Sequence, residues 1–300
     1  MDRILILGIS GFTGTHFQNY IKKKKLFNSY SFMGADKKNN CSAPISFRKI
    51  NLLDYEKLKK LIVGERPSFI INLAGTYNQD DRGLMMQINA GISMNIFEVI
   101  TKESIPVKKV LLIGSAAEYG RANHFPISES NGSMPVNHYG LSKSVQTLYA
   151  NYYFNNFHVN MNIARTFNII GKNISQTLSI GAFVNQIKIA KNGESIYVGN
   201  MNTKRDFLDV EDVIDAYWKI LLHGRAGEIY NVCSGRSHYM KDILDYLIRE
   251  SGKSLKTVVK GKYVKKYDIN DSYGSNSKLI ADTHWKQKID IVDSINRLYK

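Results

Sequence analysis

Apolar runs recur along the chain at residues 4–7, 30–34, 69–73 and 109–113, too short and too continuous for surface helices. Between them lie stretches with helical spacing, such as residues 55–63 and 89–101. Uninterrupted apolar strands alternating with helices predict a parallel sheet covered on both faces. Further on, the pattern predicts a helix over 139–155 and a strand over 159–166. The alternation then breaks over 171–206, where only a helix near 180–191 and a short strand at 195–198 stand out. A helix over 210–223 and a strand over 228–232 return to the first pattern, and a final helix follows Trp285. The expected architecture is α/β: a doubly wound parallel Rossmann-type sheet with helices on both faces and a smaller C-terminal substrate lobe. The expected division is a dinucleotide-binding domain over 1–166, joined again by about 207–231, and a lobe made of 167–206 and 232–300.

The first strand runs into Gly8-Ile-Ser-Gly11-Phe-Thr-Gly14 and then a helix expected over 15–25. Strand, glycine turn and helix let backbone N–H groups approach a pyrophosphate at a helix N-terminus. Asp36 follows Gly14 by 22 residues, at the end of the second strand. That is the distance expected of an acid that binds an adenosine ribose, although a turn carboxylate is the plainer reading of any single aspartate.

Tyr139-Gly-Leu-Ser-Lys143 lies 24 residues after Ser115, which ends the run Lys109-Val-Leu-Leu-Ile-Gly-Ser115. On a helix Tyr139 and Lys143 share a face. An ammonium beside a phenol lowers its pKa from about 10 towards working pH, where it can exchange a proton with an alcohol or carbonyl oxygen. Tyr20 with Lys24 and Tyr55 with Lys59 repeat the spacing without such a strand end beside them.

Together these motifs resemble the extended short-chain dehydrogenase/reductase family, which acts mainly on nucleotide-activated sugars. Asn72-Leu-Ala-Gly75, Gln87-Ile-Asn89, Glu118-Tyr-Gly120 and Pro126-Ile-Ser-Glu129 extend the likeness. Arg165-Thr-Phe-Asn168-Ile-Ile-Gly171, Arg205-Asp-Phe-Leu-Asp-Val210 and Asn231-Val-Cys-Ser-Gly-Arg236 look most like the GDP-4-dehydro-6-deoxymannose reductase branch. The resemblance implies Ser115, Tyr139 and Lys143 as catalytic residues. It implies a dinucleotide site at Gly8, Gly11, Phe12, Thr13, Gly14, Asp36, Asn51, Leu52, Leu73, Ala74, Gly75, Asn89, Tyr139 and Lys143, with Asn89 helping to place the catalytic serine and lysine. It implies substrate contacts at Ser115, Ala116, Asn168, Arg205 and Arg236, and a homodimer through the helices that carry Asn89 and Tyr139. The cofactor is NAD or NADP: Asp36 favours NAD, whereas Lys37 and Lys38 suit a 2′-phosphate.

Absent residues narrow the reaction. Dehydratases of this family carry an acid just after the catalytic serine or threonine, and the fucose-forming epimerase-reductases a cysteine two positions after it. Here Ala116 and Ala117 fill those places, and Glu118, third in line, is expected to point away from the sugar. The main expectation is NAD(P)H-dependent reduction of a nucleotide-diphospho-4-keto-6-deoxy sugar, GDP-linked first. The alternatives are a 4-epimerase with tightly held NAD and a non-catalytic member that senses dinucleotide or binds RNA.

The net charge of +15 and clusters such as Lys22 to Lys25 and Lys265 with Lys266 attract polyanions. Lysine is spread throughout, however, with no aromatic-interleaved stripe of the kind that binds single strands, so a diphosphate-bearing sugar rather than nucleic acid is the expected anionic partner. Two distant cysteines, Cys41 and Cys233, suit a reducing cytoplasm and leave no metal motif. No run is long enough for a membrane span and nothing resembles a signal peptide.

Overall fold

The computed structural model describes residues 1–42, 44–78, 80–264 and 268–298; Lys265 and Lys266 therefore lie outside the described residues. The first half of the chain forms β1 (Asp2–Leu7), α1 (Phe12–Lys23), β2 (Tyr30–Asp36), β3 (Ser46–Lys49), α2 (Tyr55–Glu65), β4 (Phe69–Asn72), α3 (Arg82–Met86), α4 (Ile92–Lys102) and β5 (Lys109–Ser115). A single π turn, Gln87–Gly91, joins α3 to α4. Next come α5 (His138–Phe157), β6 (Met161–Thr166), β7 (Asn168–Ile170), α6 (Ser179–Ile189), β8 (Ser195–Val198), β9 (Lys204–Arg205), β10 (Phe207–Asp209) and α7 (Val210–His223). The chain closes with β11 (Ile229–Val232), β12 (His238–Tyr239), α8 (Met240–Glu250), β13 (Lys256–Val259), α9 (Ser277–Thr283) and α10 (Ile291–Asn296).

Seven strands make one sheet in the order β11-β6-β5-β4-β1-β2-β3, with every neighbouring pair parallel. Its inner strands are buried on both faces because their sequences are apolar without alternation, as in Ile4 to Leu7 and Val110 to Leu112. One face packs against α1 and α7, the other against α2, α4 and α5. Polar side chains fix the helix starts: Asp54 accepts from Lys57 N at α2, Asn137 from Gly140 N at α5 and Asp209 from Glu211 N at α7. The expected doubly wound Rossmann-type sheet is what the chain forms.

A third apolar cluster joins α6, α8, β8 and α10 beyond the carboxyl edge of the sheet. Trp285, which the sequence groups with this lobe, instead sits fully buried with Leu279 against α1 and α7, its indole donating to Asp212 O at 3.1 Å. The helix expected over 89–101 begins earlier, at Arg82, and contains the π turn. Strand β8 lies where the sequence predicts a short strand, at 195–198, whereas β3, β7, β9, β10, β12 and β13 carry too few residues for a periodic signal. Among the described residues no helix is long and apolar enough to cross a membrane, and no group of three or more His, Cys, Asp or Glu could hold a metal.

Candidate active site

Strand order reverses between β1 and β4, and the carboxyl ends of β1, β2, β4, β5 and β6 all open on one edge. Ligands of such sheets bind in the crevice at this switch. Gly8 there has φ +76, and a Cβ on it would lie 2.6 Å from Ala74 N; a Cβ on Gly14 would lie 2.3 Å from the Ile9 carbonyl oxygen. Both close approaches need glycine. No side chain caps α1 and no acid stands in its first turn, which leaves a helix N-terminus suited to an anion. Asp36 is half-buried and accepts from Ser10 N at 3.0 Å and Lys37 N at 2.7 Å, which fixes its carboxylate beside the glycine turn. Asn51 and Leu52 follow β3 across from it, where Ile50 N bonds the Asp36 carbonyl. Leu73, Ala74 and Gly75 continue β4 along the same edge. This cradle fits a dinucleotide.

Ser115 closes β5, and its side chain accepts from Ala117 N in the turn that follows. Tyr139 and Lys143 come from the first two turns of α5. Burial pushes the Tyr139 phenol up to about 12, while a hydrogen bond with Ser115 holds it lower than burial alone would. Burial draws the Lys143 ammonium down to about 8, opposed by the charge of Glu118. Lys143 Nζ donates to Ile113 O at 2.8 Å and Gln146 Oε1 at 3.0 Å. The depression of the tyrosine by its lysine, expected from the sequence, is absent: the ammonium turns towards β5 and α5's own Gln146, and desolvation governs the phenol. Tyr77 adds a ring edge-on to Tyr139, with centroids 5.0 Å apart.

Asn89, fully buried, accepts from Thr76 N at 2.8 Å and donates to Thr76 O at 3.0 Å and Ser142 Oγ at 2.9 Å. It ties the loop after β4 to the residue beside Lys143 rather than touching Ser115. That role at the serine falls to Glu118. Its carboxylate is fully buried, turned away from the crevice, and bonded to Ser115 N, Thr147 Oγ1 and Arg165 Nε.

Three of the expected substrate contacts, Asn168, Arg205 and Arg236, gather around a different acid. Asp206, fully buried, accepts at Oδ1 from Ser234 N at 2.8 Å and Ser234 Oγ at 2.7 Å, and at Oδ2 from Gly235 N at 3.0 Å and Gly274 N at 3.3 Å. Its own carbonyl accepts from Asn168 Nδ2 at 2.9 Å. Asn168 in β7, Arg205 in β9 and Arg236 in the loop after β11 thus belong to segments pinned at one point. Arg205 is paired with Asp268 at 2.9 Å and donates to Ile269 O, while burial lowers its pKa. Arg236 is exposed and Ala116 half-buried beside Ser115. Asp206 lies inside a sequence motif but carries no role of its own there, and nothing in the residue types marks Tyr77 or Gln146; the roles of Asp206 and Tyr77 come from contacts between distant segments.

A family model described as the NAD dependent epimerase/dehydratase family matches residues 4–233. The chain belongs to that family. Within it, the chain is 29% identical to the GDP-6-deoxy-D-mannose reductase of Pseudomonas aeruginosa over 306 residues, which span 99% of this chain and 96% of that protein. It is 26% identical to the GDP-6-deoxy-D-talose 4-dehydrogenase of Aggregatibacter actinomycetemcomitans, over 93% of this chain and 90% of that one. Among solved structures, RMD from Pseudomonas aeruginosa complexed with NADPH superposes with a TM-score of 0.84 at 27% identity, covering 99% of this chain and 97% of that one. The resemblance read from the motifs is therefore that of a true epimerase/dehydratase family member.

Proposed function

We propose that this protein reduces the 4-keto group of a nucleotide-diphospho-4-keto-6-deoxy sugar, a GDP-sugar first, with reduced NAD or NADP. The dinucleotide supplies the hydride when bound on the cradle formed by Gly8, Gly11, Phe12, Thr13, Gly14, Asp36, Asn51, Leu52 and residues 73–75. The observation that carries the reading is the inward turn of Glu118: with Ala116 and Ala117 in the two positions before it, no acid or thiol from this turn faces the sugar. What remains is proton exchange at a single oxygen. Tyr139, held as a phenol at neutral pH, gives its proton to the oxygen that becomes an alkoxide, and the Ser115 hydroxyl stabilises the same oxygen. Lys143 uses two of the three N–H donors of an ammonium on Ile113 O and Gln146 Oε1, and its third suits a ribose hydroxyl.

On the substrate side, Arg236 is the direct diphosphate contact of this reading, because it is exposed and its planar fork can pair two phosphate oxygens. Arg205, already engaged by Asp268, shapes the pocket wall with Asn168. The full-length similarity to the Pseudomonas aeruginosa reductase supports the choice of a GDP-sugar. The protein acts as a homodimer in this reading, since Leu141, Val145, Leu148 and Tyr152 form an apolar stripe along α5, with Leu148 67% exposed, and a second copy covers it isologously.

The test is nicotinamide absorbance with purified protein, NADH or NADPH, and GDP-, dTDP- and CDP-4-keto-6-deoxy sugars. Stoichiometric loss of reduced cofactor with one of them is the expected result. Conversion of an ordinary nucleotide hexose into its C4 epimer, without cofactor consumption, would overturn it in favour of the epimerase.

A further inference from the structure

Glu118 does no proton chemistry in the reaction proposed above, yet its carboxylate is fully buried and bonded at both oxygens. Its Oε1 accepts from Ser115 N at 2.8 Å; its Oε2 accepts from Thr147 Oγ1 at 2.7 Å and Arg165 Nε at 2.9 Å. These partners belong to three elements, the end of β5, the middle of α5 and β6. Thr147 stands one turn beyond Lys143 on α5. Arg165, 4% exposed, has no solvent to fall back on, and its guanidinium also lies 4.7 Å from the Tyr119 ring centroid. Such a buried ion pair is expensive to assemble and is matched by neutral packing in many proteins. Its persistence here, against the serine and the tyrosine-lysine helix, calls for a role beyond stability.

We propose that Glu118 is a positioning residue that clamps the end of β5 to α5 and β6 and lends its negative charge to Tyr139 and Lys143. The inference rests on the reading of those two residues as the proton-handling pair. A fixed carboxylate nearby favours the ammonium of Lys143 and disfavours phenolate at Tyr139: its charge pushes both groups upward, with burial at Tyr139 and against the larger downward pull of burial at Lys143. It thereby keeps both in the protonated forms that a reductase needs at neutral pH.

The test is an NMR titration of the Lys143 Cε resonance in full-length protein grown on 13C-lysine, with Lys143→Arg to assign it. Wild type is expected to titrate near 8, and Glu118→Gln about one pH unit lower, the scale on which a nearby opposite charge acts. Should Glu118→Gln not fold, the double variant Glu118→Gln with Arg165→Met is compared with Arg165→Met alone, so that the Arg165 charge is absent from both, and the same downward shift is expected. An unchanged midpoint in whichever variant folds would overturn the proposal, because a purely packing role moves stability and not this titration. Wild-type turnover on the sugar panel is measured alongside. Its absence sinks the reductase reading while the titration still decides the role of Glu118; its presence adds the expectation that the alkaline limb of kcat/KM falls with the Lys143 midpoint.

Discussion

Replacing Lys143 by methionine should stabilise the protein at neutral pH and destabilise it in alkali. Burial lowers the ammonium from its usual 10.5 to about 8, so at pH 7 the fold carries the cost of a desolvated charge. At about 1.4 kcal/mol per pH unit, the penalty is about 3 kcal/mol. Methionine of similar length removes it but loses the hydrogen bonds to Gln146 Oε1 and to Ile113 O, which keeps only the long one from Gln146 Nε2 at 3.4 Å, at about 1 kcal/mol each. The net gain near pH 7 is then about 1 kcal/mol. Between the folded value near 8 and the unfolded value near 10.5 the unfolded chain binds the extra proton, so wild-type stability rises with pH across that window. The penalty is fully present below pH 8 and gone above 10.5. There the variant should be the weaker by about 2 kcal/mol, the two lost hydrogen bonds. Urea unfolding of both proteins at pH 7 and pH 10.5, read as their difference so that other titrating groups cancel, measures this. A difference that keeps its sign and size at both pH values would refute the reasoning.

Three other outcomes are expected. Tyr139→Phe should lower kcat by about 10²–10⁴-fold, the usual share of general acid catalysis, while fluorescence titration finds NADPH affinity within a few-fold of wild type. Asp206→Asn swaps an acceptor for a donor facing two backbone N–H groups; at about 1–3 kcal/mol for each unsatisfied donor the urea midpoint should fall clearly, and GDP binding by calorimetry should weaken with it. Leu148→Glu places a charge in the apolar stripe of α5 and should yield a monomer by light scattering, with a helical spectrum unchanged in circular dichroism.

The sheet was legible because its inner strands are unbroken apolar runs, and the glycine turn because only glycine fits at Gly8 and Gly14. Ser115, Tyr139 and Lys143 could be grouped from spacing, and the structure does bring them to one edge. The direction of the Tyr139 shift could not, since it depends on where an ammonium points and how much water reaches the phenol. Glu118 shows the same limit from the other side. Its place third after Ser115 suggests that it faces away from the sugar, but only the structure shows what it faces instead, Arg165 and Thr147. Apart from β8, the strands of two to four residues in the lobe owe their existence to partners far along the chain, as in His238 against Arg205, so no local pattern announces them.

The convergence of three separate segments on Asp206 bears on how such a protein changes its preferences over generations. Because one carboxylate fixes the backbone of residues 234–235 and Gly274, and its carbonyl holds Asn168, a loop insertion in any of them disturbs the others. Drift in nucleotide preference is therefore channelled into side-chain exchange on a frozen frame, at positions such as Arg236, and paired substitutions around Asp206 should combine non-additively when measured together.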